Sequence, residues 1–244
     1  MQTRIIAHRG ASADAPENTM AAFELAHRQG AHMIEFDVRP TSDDAIIVFH
    51  DDTTERWNGR PDPVSGLTLA EMQALDLRGE RAPTLEEVCA WASATGMPLN
   101  VEIKVAGIEA AVAQMIHAHG IGDQVIVSSF LPQSLAAMQS IAPELALGVL
   151  TDRDAAPPAA DTDWPLGALR HVQARAWHPS RQLPQLDALI PQVQAAGYAV
   201  NVWTVDDPAR MRQLLALDVA GIITNRPALL AEIIRDGQEQ PPAV

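Results

Sequence analysis

Short apolar runs alternate with amphipathic, helix-like stretches along this chain, and several of the runs end in charged residues. Together these predict an α/β fold, with strands joined by crossover helices into a parallel sheet. Length is the third observation, since 244 residues with 47% hydrophobic content suit a single barrel-sized domain. The βα rhythm predicts a TIM (β/α)8 barrel over residues 1–244, with a small inserted cap after the second strand, at about residues 51–83. Periodicity does not report closure, so a doubly wound sheet is the other arrangement this pattern allows.

Residues 4–8 form the first strand, built on Ile5-Ile6-Ala7. Residues 19–29 form an amphipathic helix, with Asn18 as N-cap and Gly30 as C-terminal stop. Residues 33–38 and 45–50 are strands, the second one additional to the main eight. Residues 51–83 are polar and rich in Pro and Gly, with a short helix at 67–75; following strand-borne charges, they are placed to cover a site. A helix at 86–95 ends at Gly96-Met97-Pro98 and leads into a strand at 99–104. Further strands fall at 125–129, 145–150, 172–176, 199–205 and 221–224, with helices near 108–118, 132–141, 183–196, 208–217 and 227–235. Residues 152–169, rich in Ala, Pro and Asp, read as a flexible loop, and residues 238–244 as a frayed tail.

Charge and composition exclude several function classes. A net charge of −14 argues against nucleic acid or an anionic membrane as partner. Cys89 is the only cysteine, which rules out an intrachain disulfide and fits a reducing compartment; its apolar helix stripe places it in the core. No run reaches the roughly 18 apolar residues of a membrane span, so no stable membrane anchoring and a cytoplasmic location are expected. No Gly-x-Gly-x-x-Gly or P-loop is present, which removes the usual nucleotide sites. A homo-oligomer is compatible with the sequence.

The chemistry concentrates at strand ends. Glu35 and Asp37 lie two apart and share a face. Adjacent carboxylates repel unless a cation sits between them, and an oxygen-rich set suits one divalent ion, Mg²⁺ or Ca²⁺. Glu102, ending a later strand, is a candidate third ligand, and Lys104 beside it suits an anionic substrate. For any one of these pairs a solvated ion pair is the plain alternative; three such strand ends favour a site. His8 and His50 each end an apolar run and are the candidate proton-transfer pair. His178 is a candidate rim residue, Ser128-Ser129-Phe130 could meet the substrate, Asn18 fastens a loop, and Asn225 is structural.

Read in order, His8-Arg9-Gly10, Pro16-Glu17-Asn18-Thr19, Glu35-Phe36-Asp37-Val38 and Val48-Phe49-His50-Asp51-Asp52-Thr53 resemble the glycerophosphodiester phosphodiesterase family. The similarity continues through Pro83-Thr84-Leu85-Glu86-Glu87, Glu102-Ile103-Lys104, Asn201-Val202-Trp203-Thr204 and Gly221-Ile222-Ile223-Thr224-Asn225-Arg226-Pro227. The resemblance implies a TIM barrel with a metal on Glu35, Asp37 and Glu102, and with His8 and His50 as acid and base. It also implies Arg9 and Lys104 on the phosphate and Trp203 as an apolar wall beside glycerol carbons. The implied substrates are small soluble glycerophosphodiesters such as glycerophosphocholine, cleaved to glycerol 3-phosphate and an alcohol. Attack by a glycerol hydroxyl, through a cyclic phosphate, and direct attack by water both fit the residues. One departure stands out: Arg56-Trp57-Asn58-Gly59 is a residue shorter than the family's usual Arg-Thr-Thr-Asn-Gly, which bears on the shape of the cap.

Overall fold

A computed structural model describes residues 2–155 and 163–239. Nine strands form one sheet among the described residues: β1 (Arg4–His8), β2 (Met33–Pro40), β3 (Ile46–Val48), β4 (Leu99–Ile103), β5 (Val125–Ser129), β6 (Ala146–Thr151), β7 (Ala176–Pro179), β8 (Ala199–Val202) and β9 (Gly221–Thr224). Strand β1 pairs in parallel with both β2 and β9, which closes a barrel of eight parallel strands. The extra strand β3 runs antiparallel to the end of β2, with Val38 opposite Val48. The closed TIM barrel therefore replaces the doubly wound alternative.

The helices are α1 (Met20–Arg28), α2 (Glu55–Asn58), α3 (Leu69–Gln73), α4 (Leu85–Thr95), α5 (Glu109–Ala118), α6 (Pro132–Ile141), α7 (Leu166–His171), α8 (Leu186–Ala195), α9 (Pro208–Ala216) and α10 (Pro227–Glu239). Local chemistry sets their ends. Thr84 and Glu87 form a capping box at the start of α4, and Gly96 ends that helix in a left-handed conformation at φ 70°. The main core lies between the sheet and the helices, with Phe23, Phe36, Val101, Val127 and Trp177 all fully buried. Burial of each such side chain contributes about 1.5–3 kcal/mol, so the wall that carries the strand ends is rigid. Cys89 is in this core, as expected. A second cluster joins Ile47 and Phe49 to Val64, Met72 and Leu77, seating residues 51–83 on β3 and the turn after it.

Three expectations need correction. The N-cap of α1 is Thr19, whose side chain accepts from the Ala22 N–H; Asn18 instead adopts a left-handed backbone at φ 57° and turns its side chain inward. The sixth parallel strand is Ala176–Pro179, later than 172–176, because Val172 caps α7 and Gln173 turns at φ 51°. Helix α7 occupies the end of the expected loop at 152–169, with Trp164 packed edge-on against Trp177 at 6.1 Å. Residues 156–162 of that loop and 240–244 of the expected tail lie outside the described residues.

Candidate active site

The C-terminal ends of the parallel strands carry the charged side chains. Register explains why: Asp37 pairs with Glu102 across β2 and β4, and His8 pairs with Glu35 across β1 and β2. Closure thus gathers residues from three strands into a cavity of about 200 Å³, lined by His8, Arg9, Glu35, His50, Glu102 and Lys104. Phe130 and Trp203 wall it on one side, edge to face at 5.5 Å. A larger cleft of about 560 Å³ opens at the opposite end, around Arg4, His32 and Gln124, and holds no comparable set of carboxylates.

Glu35, Asp37 and Glu102 are buried, and each offers an oxygen within 4.8 Å of the others. Burial pushes Glu35 well above the usual carboxylate range, and repulsion from Asp37 and Glu102 adds to that. Burial and then Asp37 raise Glu102 to about 7, against the pull of Lys104. Burial opposes ionisation of Asp37 too, yet Arg9, Lys104 and His50 together hold it below the usual range. Asp37 Oδ1 is buried and makes no hydrogen bond among the described residues, with Lys104 Nζ 3.4 Å away as an ion-pair partner. Three buried carboxylates that repel one another fit a hard divalent cation.

Two cations flank this triad. Arg9 Nε lies 3.2 Å from Asp37 Oδ2, and Lys104 Nζ lies 2.7 Å from Glu102 Oε1 and 3.4 Å from Asp37 Oδ1. The turn after β1 aims them. Arg9 takes a left-handed backbone at φ 56°, which lets its own N–H donate to Glu35 Oε2 at 3.1 Å. Gly10 follows at φ 83°, and any Cβ there would lie 2.7 Å from Ala22, so the turn can press against α1 only with glycine. Asn18 Nδ2 then donates to Asp37 Oδ2 at 2.9 Å, fastening a carboxylate as well as a loop.

The two histidines are held differently. His8 Nδ1 lies 2.7 Å from Asn225 Oδ1, while Asn225 Nδ2 donates to Asp206 Oδ2 at 2.6 Å. That donation orients the amide, so His8 carries its proton on Nδ1 and turns Nε2 toward Glu35, 4.0 Å away. Burial, then Arg9, pulls His8 down to about 4. His50 Nδ1 instead faces a carboxylate, Asp51 Oδ1, at 2.8 Å. Burial lowers His50 as well, while Asp37 and the Asp51 hydrogen bond oppose the shift. Arg39 Nε donates to the His50 carbonyl at 2.9 Å and so fixes its backbone.

Other expectations fare unevenly. Trp203 reaches the cavity and donates Nε1–H to the His178 carbonyl at 2.7 Å. His178 itself is not at the rim; it is fully buried inside the barrel, accepting from Asn201 Nδ2 on Nε2 at 2.9 Å. Its ring fills the space that a Cβ on Gly148 would need. Ser129 donates to the Ile103 carbonyl at 2.7 Å and is structural, and Ser128 is buried opposite Glu102. The parts sequence reasoning undervalued are Asn225 and Arg39. Asn225 sits one residue past a strand end, which was its only local signal; Arg39 is a buried arginine two residues beyond Asp37 in the same strand.

The chain resembles known proteins over nearly its whole length. Residues 8–229 match the Glycerophosphoryl diester phosphodiesterase family. A glycerophosphodiester phosphodiesterase of Caldanaerobacter subterraneus subsp. tengcongensis is 35% identical, over 97% of this chain and 100% of its own length. A crystal structure of glycerophosphodiester phosphodiesterase from Agrobacterium tumefaciens is 30% identical with a TM-score of 0.79, covering 95% of this chain and 100% of that one. A phosphodiesterase from Oleispira antarctica, in complex with the product sn-glycerol-3-phosphate, is 29% identical with a TM-score of 0.85, covering 96% of this chain and 97% of that one. With a match running through nearly the whole barrel, the chain belongs to the glycerophosphoryl diester phosphodiesterase family.

Proposed function

We propose that this chain hydrolyses small soluble glycerophosphodiesters, such as glycerophosphocholine or glycerophosphoethanolamine, to glycerol 3-phosphate and an alcohol. The observation that carries the reading is the pairing of two differently held histidines with a buried carboxylate triad and two cations in one small cavity. The Oleispira relative, bound to sn-glycerol-3-phosphate, supports glycerol phosphate as the part held there. On this reading residues 1–244 are one barrel domain and residues 51–83 are its cap. The single cysteine and the charge of −14 suit a cytoplasmic enzyme that does not act on nucleic acid.

Glu35, Asp37 and Glu102 would hold one Mg²⁺ or Ca²⁺, which when bound would offset charge on the phosphoryl oxygens and make a bound hydroxyl more acidic. Arg9 offers two parallel donors to the phosphate, and Lys104 adds a point charge. Trp203 and Phe130 shield the glycerol carbons from water. His8, whose outer partner is a neutral amide, keeps its Nε2 lone pair free and takes the proton from the attacking glycerol hydroxyl. His50, backed by the Asp51 carboxylate, better supports an imidazolium and protonates the departing alkoxide. The phosphorus–alkoxide bond breaks as the glycerol oxygen bonds to phosphorus, leaving a cyclic glycerol phosphate. Water then opens the ring with the histidine roles reversed.

The test is release of glycerol 3-phosphate from glycerophosphocholine with Mg²⁺ or Ca²⁺, with EDTA, and by His8→Ala. Metal-dependent release that EDTA and the variant abolish is the expected result. No release across several headgroups and both metals would point to a barrel that binds phosphate esters without cleaving them. A cyclic phosphate that the enzyme fails to hydrolyse as fast as the diester would replace the cyclic route with direct attack by water.

A further inference from the structure

We infer that Arg56 is a positioning residue for this reaction: from the cap it clasps Glu17 and Asp51 at once, and through them sets Arg9 and His50. The inference rests on the hydrolase reading above. The contacts form one alternating chain of charge. Arg56 Nε lies 2.7 Å from Asp51 Oδ2, and the other Asp51 oxygen lies 2.8 Å from His50 Nδ1. The second arm, Arg56 Nη2, lies 2.6 Å from Glu17 Oε1, the same oxygen that accepts from Arg9 Nη1 at 2.9 Å. One guanidinium therefore joins the partner of the phosphate-binding arginine to the partner of the proton donor.

The geometry needs arginine. Its planar fork reaches two carboxylates in different directions, which a lysine ammonium on a flexible stem does not reproduce. Arg56 also has a platform, since its guanidinium carbon lies 4.8 Å over the Trp57 ring, and Trp57 packs against Phe49 at 6.4 Å. Phe49 is next to His50, so the cap and the catalytic turn share this stack. Isolated surface ion pairs contribute little, but here Glu17 and Asp51 are only 20% and 22% exposed and each bonds a group in the cavity. Without Arg56, Asp51 keeps only His50 and Glu17 only Arg9 as side-chain partners among the described residues. Both carboxylates gain rotational freedom, and a misplacement of about 1 Å at reacting groups costs about 100-fold in rate.

The side chain of Arg56 is 46% exposed, so its removal empties no core. The experiment compares wild type, Arg56→Ala and Arg56→Lys on glycerophosphocholine with Mg²⁺, alongside thermal melts and ¹⁵N-histidine NMR, with the His50 signal assigned from His50→Gln. Both variants should lose about tenfold or more in kcat, with KM changed by less than about threefold and the melting temperature preserved. The His50 Nδ1–H resonance should shift or broaden in both. A kcat within about twofold of wild type, an unmoved His50 resonance, or a rate loss that tracks a lower melting temperature would each overturn the inference. A wild type silent on the diester would remove the hydrolase reading alone, because the His50 resonance still reports whether Arg56 sets that ring.

Discussion

The two histidines differ chiefly in what faces Nδ1, a neutral amide for His8 and a carboxylate for His50. Asn225→Ala removes the acceptor that orients His8, together with its bonds to Asp206 and Ser12, and its kcat should fall about tenfold. Asp51→Asn removes the charge that supports an imidazolium, and its kcat should fall further, toward the 100-fold or greater contribution of a positioned acid. Equal losses in steady-state kinetics would contradict the assignment of His50 as the acid. The carboxylate triad makes a separate prediction. Glu35 and Glu102 are pushed up by burial and by repulsion from Asp37, so a divalent cation that relieves both should stabilise the fold. At about 100 times Kd, Mg²⁺ or Ca²⁺ should add about 2.7 kcal/mol, and EDTA should reverse it. Glu102→Gln should blunt that rise in a thermal-shift assay. The pairing of Glu35 with Asp37 was legible because two-residue spacing on a strand fixes a shared face. The role of Asn225 was not, since its partner is 217 residues away.

Strand ends and helix caps do most of the positioning at the level of elements. Strand β1 ends in His8, while Glu35 and Asp37 lie within β2 and Glu102 is the penultimate residue of β4; the register sets these groups side by side. Helix α4, which follows residues 51–83, is started by the Thr84–Glu87 box, with Thr84 N–H donating to Glu87 Oε2 at 2.8 Å. Thr84→Ala should therefore cost about 1 kcal/mol, read as a lower denaturant midpoint, with the diesterase rate intact. A matching loss of activity would mean that the cap depends on this helix start more closely than its contacts indicate. Boundaries were least legible where local signals conflicted. In strand β7, His178 follows Trp177 at an expected strand end, which suggested a rim position; pairing with β6 and β8 instead makes this stretch barrel wall, with His178 fully buried.

Across the whole molecule, the buried His178 links stability to pH. Burial lowers it from 6.5 to about 4 in the fold, and its Nδ1 finds no hydrogen-bond partner among the described residues. A folded value below the unfolded one means the unfolded chain binds the proton first. His178 leaves stability untouched above about pH 6.5, lowers it as pH falls toward 4, and adds no further slope below that. Within that window the slope approaches about 1.4 kcal/mol per pH unit for this one group. His178→Gln should flatten the pH dependence of the denaturation free energy between those values. An unchanged slope would show that other groups, such as His8, carry the effect. The barrel places His178 beneath the site, so this acid sensitivity is built into the scaffold and not into the loops.

The order of strands and helices, the charged strand ends, the paired faces of Glu35 and Asp37, and the candidate histidines were all determined by the sequence itself. These features follow from spacing and side-chain chemistry within a few residues. Closure of the barrel, the meeting of Asp37 with Glu102, the amide behind His8 and the clasp of Arg56 were decided only by tertiary structure. Each joins segments far apart in the chain, and no local periodicity reports which of the compatible surfaces will face one another. Register does report it, because once β1 pairs with both β2 and β9, every inward side chain at the strand ends has a fixed neighbour.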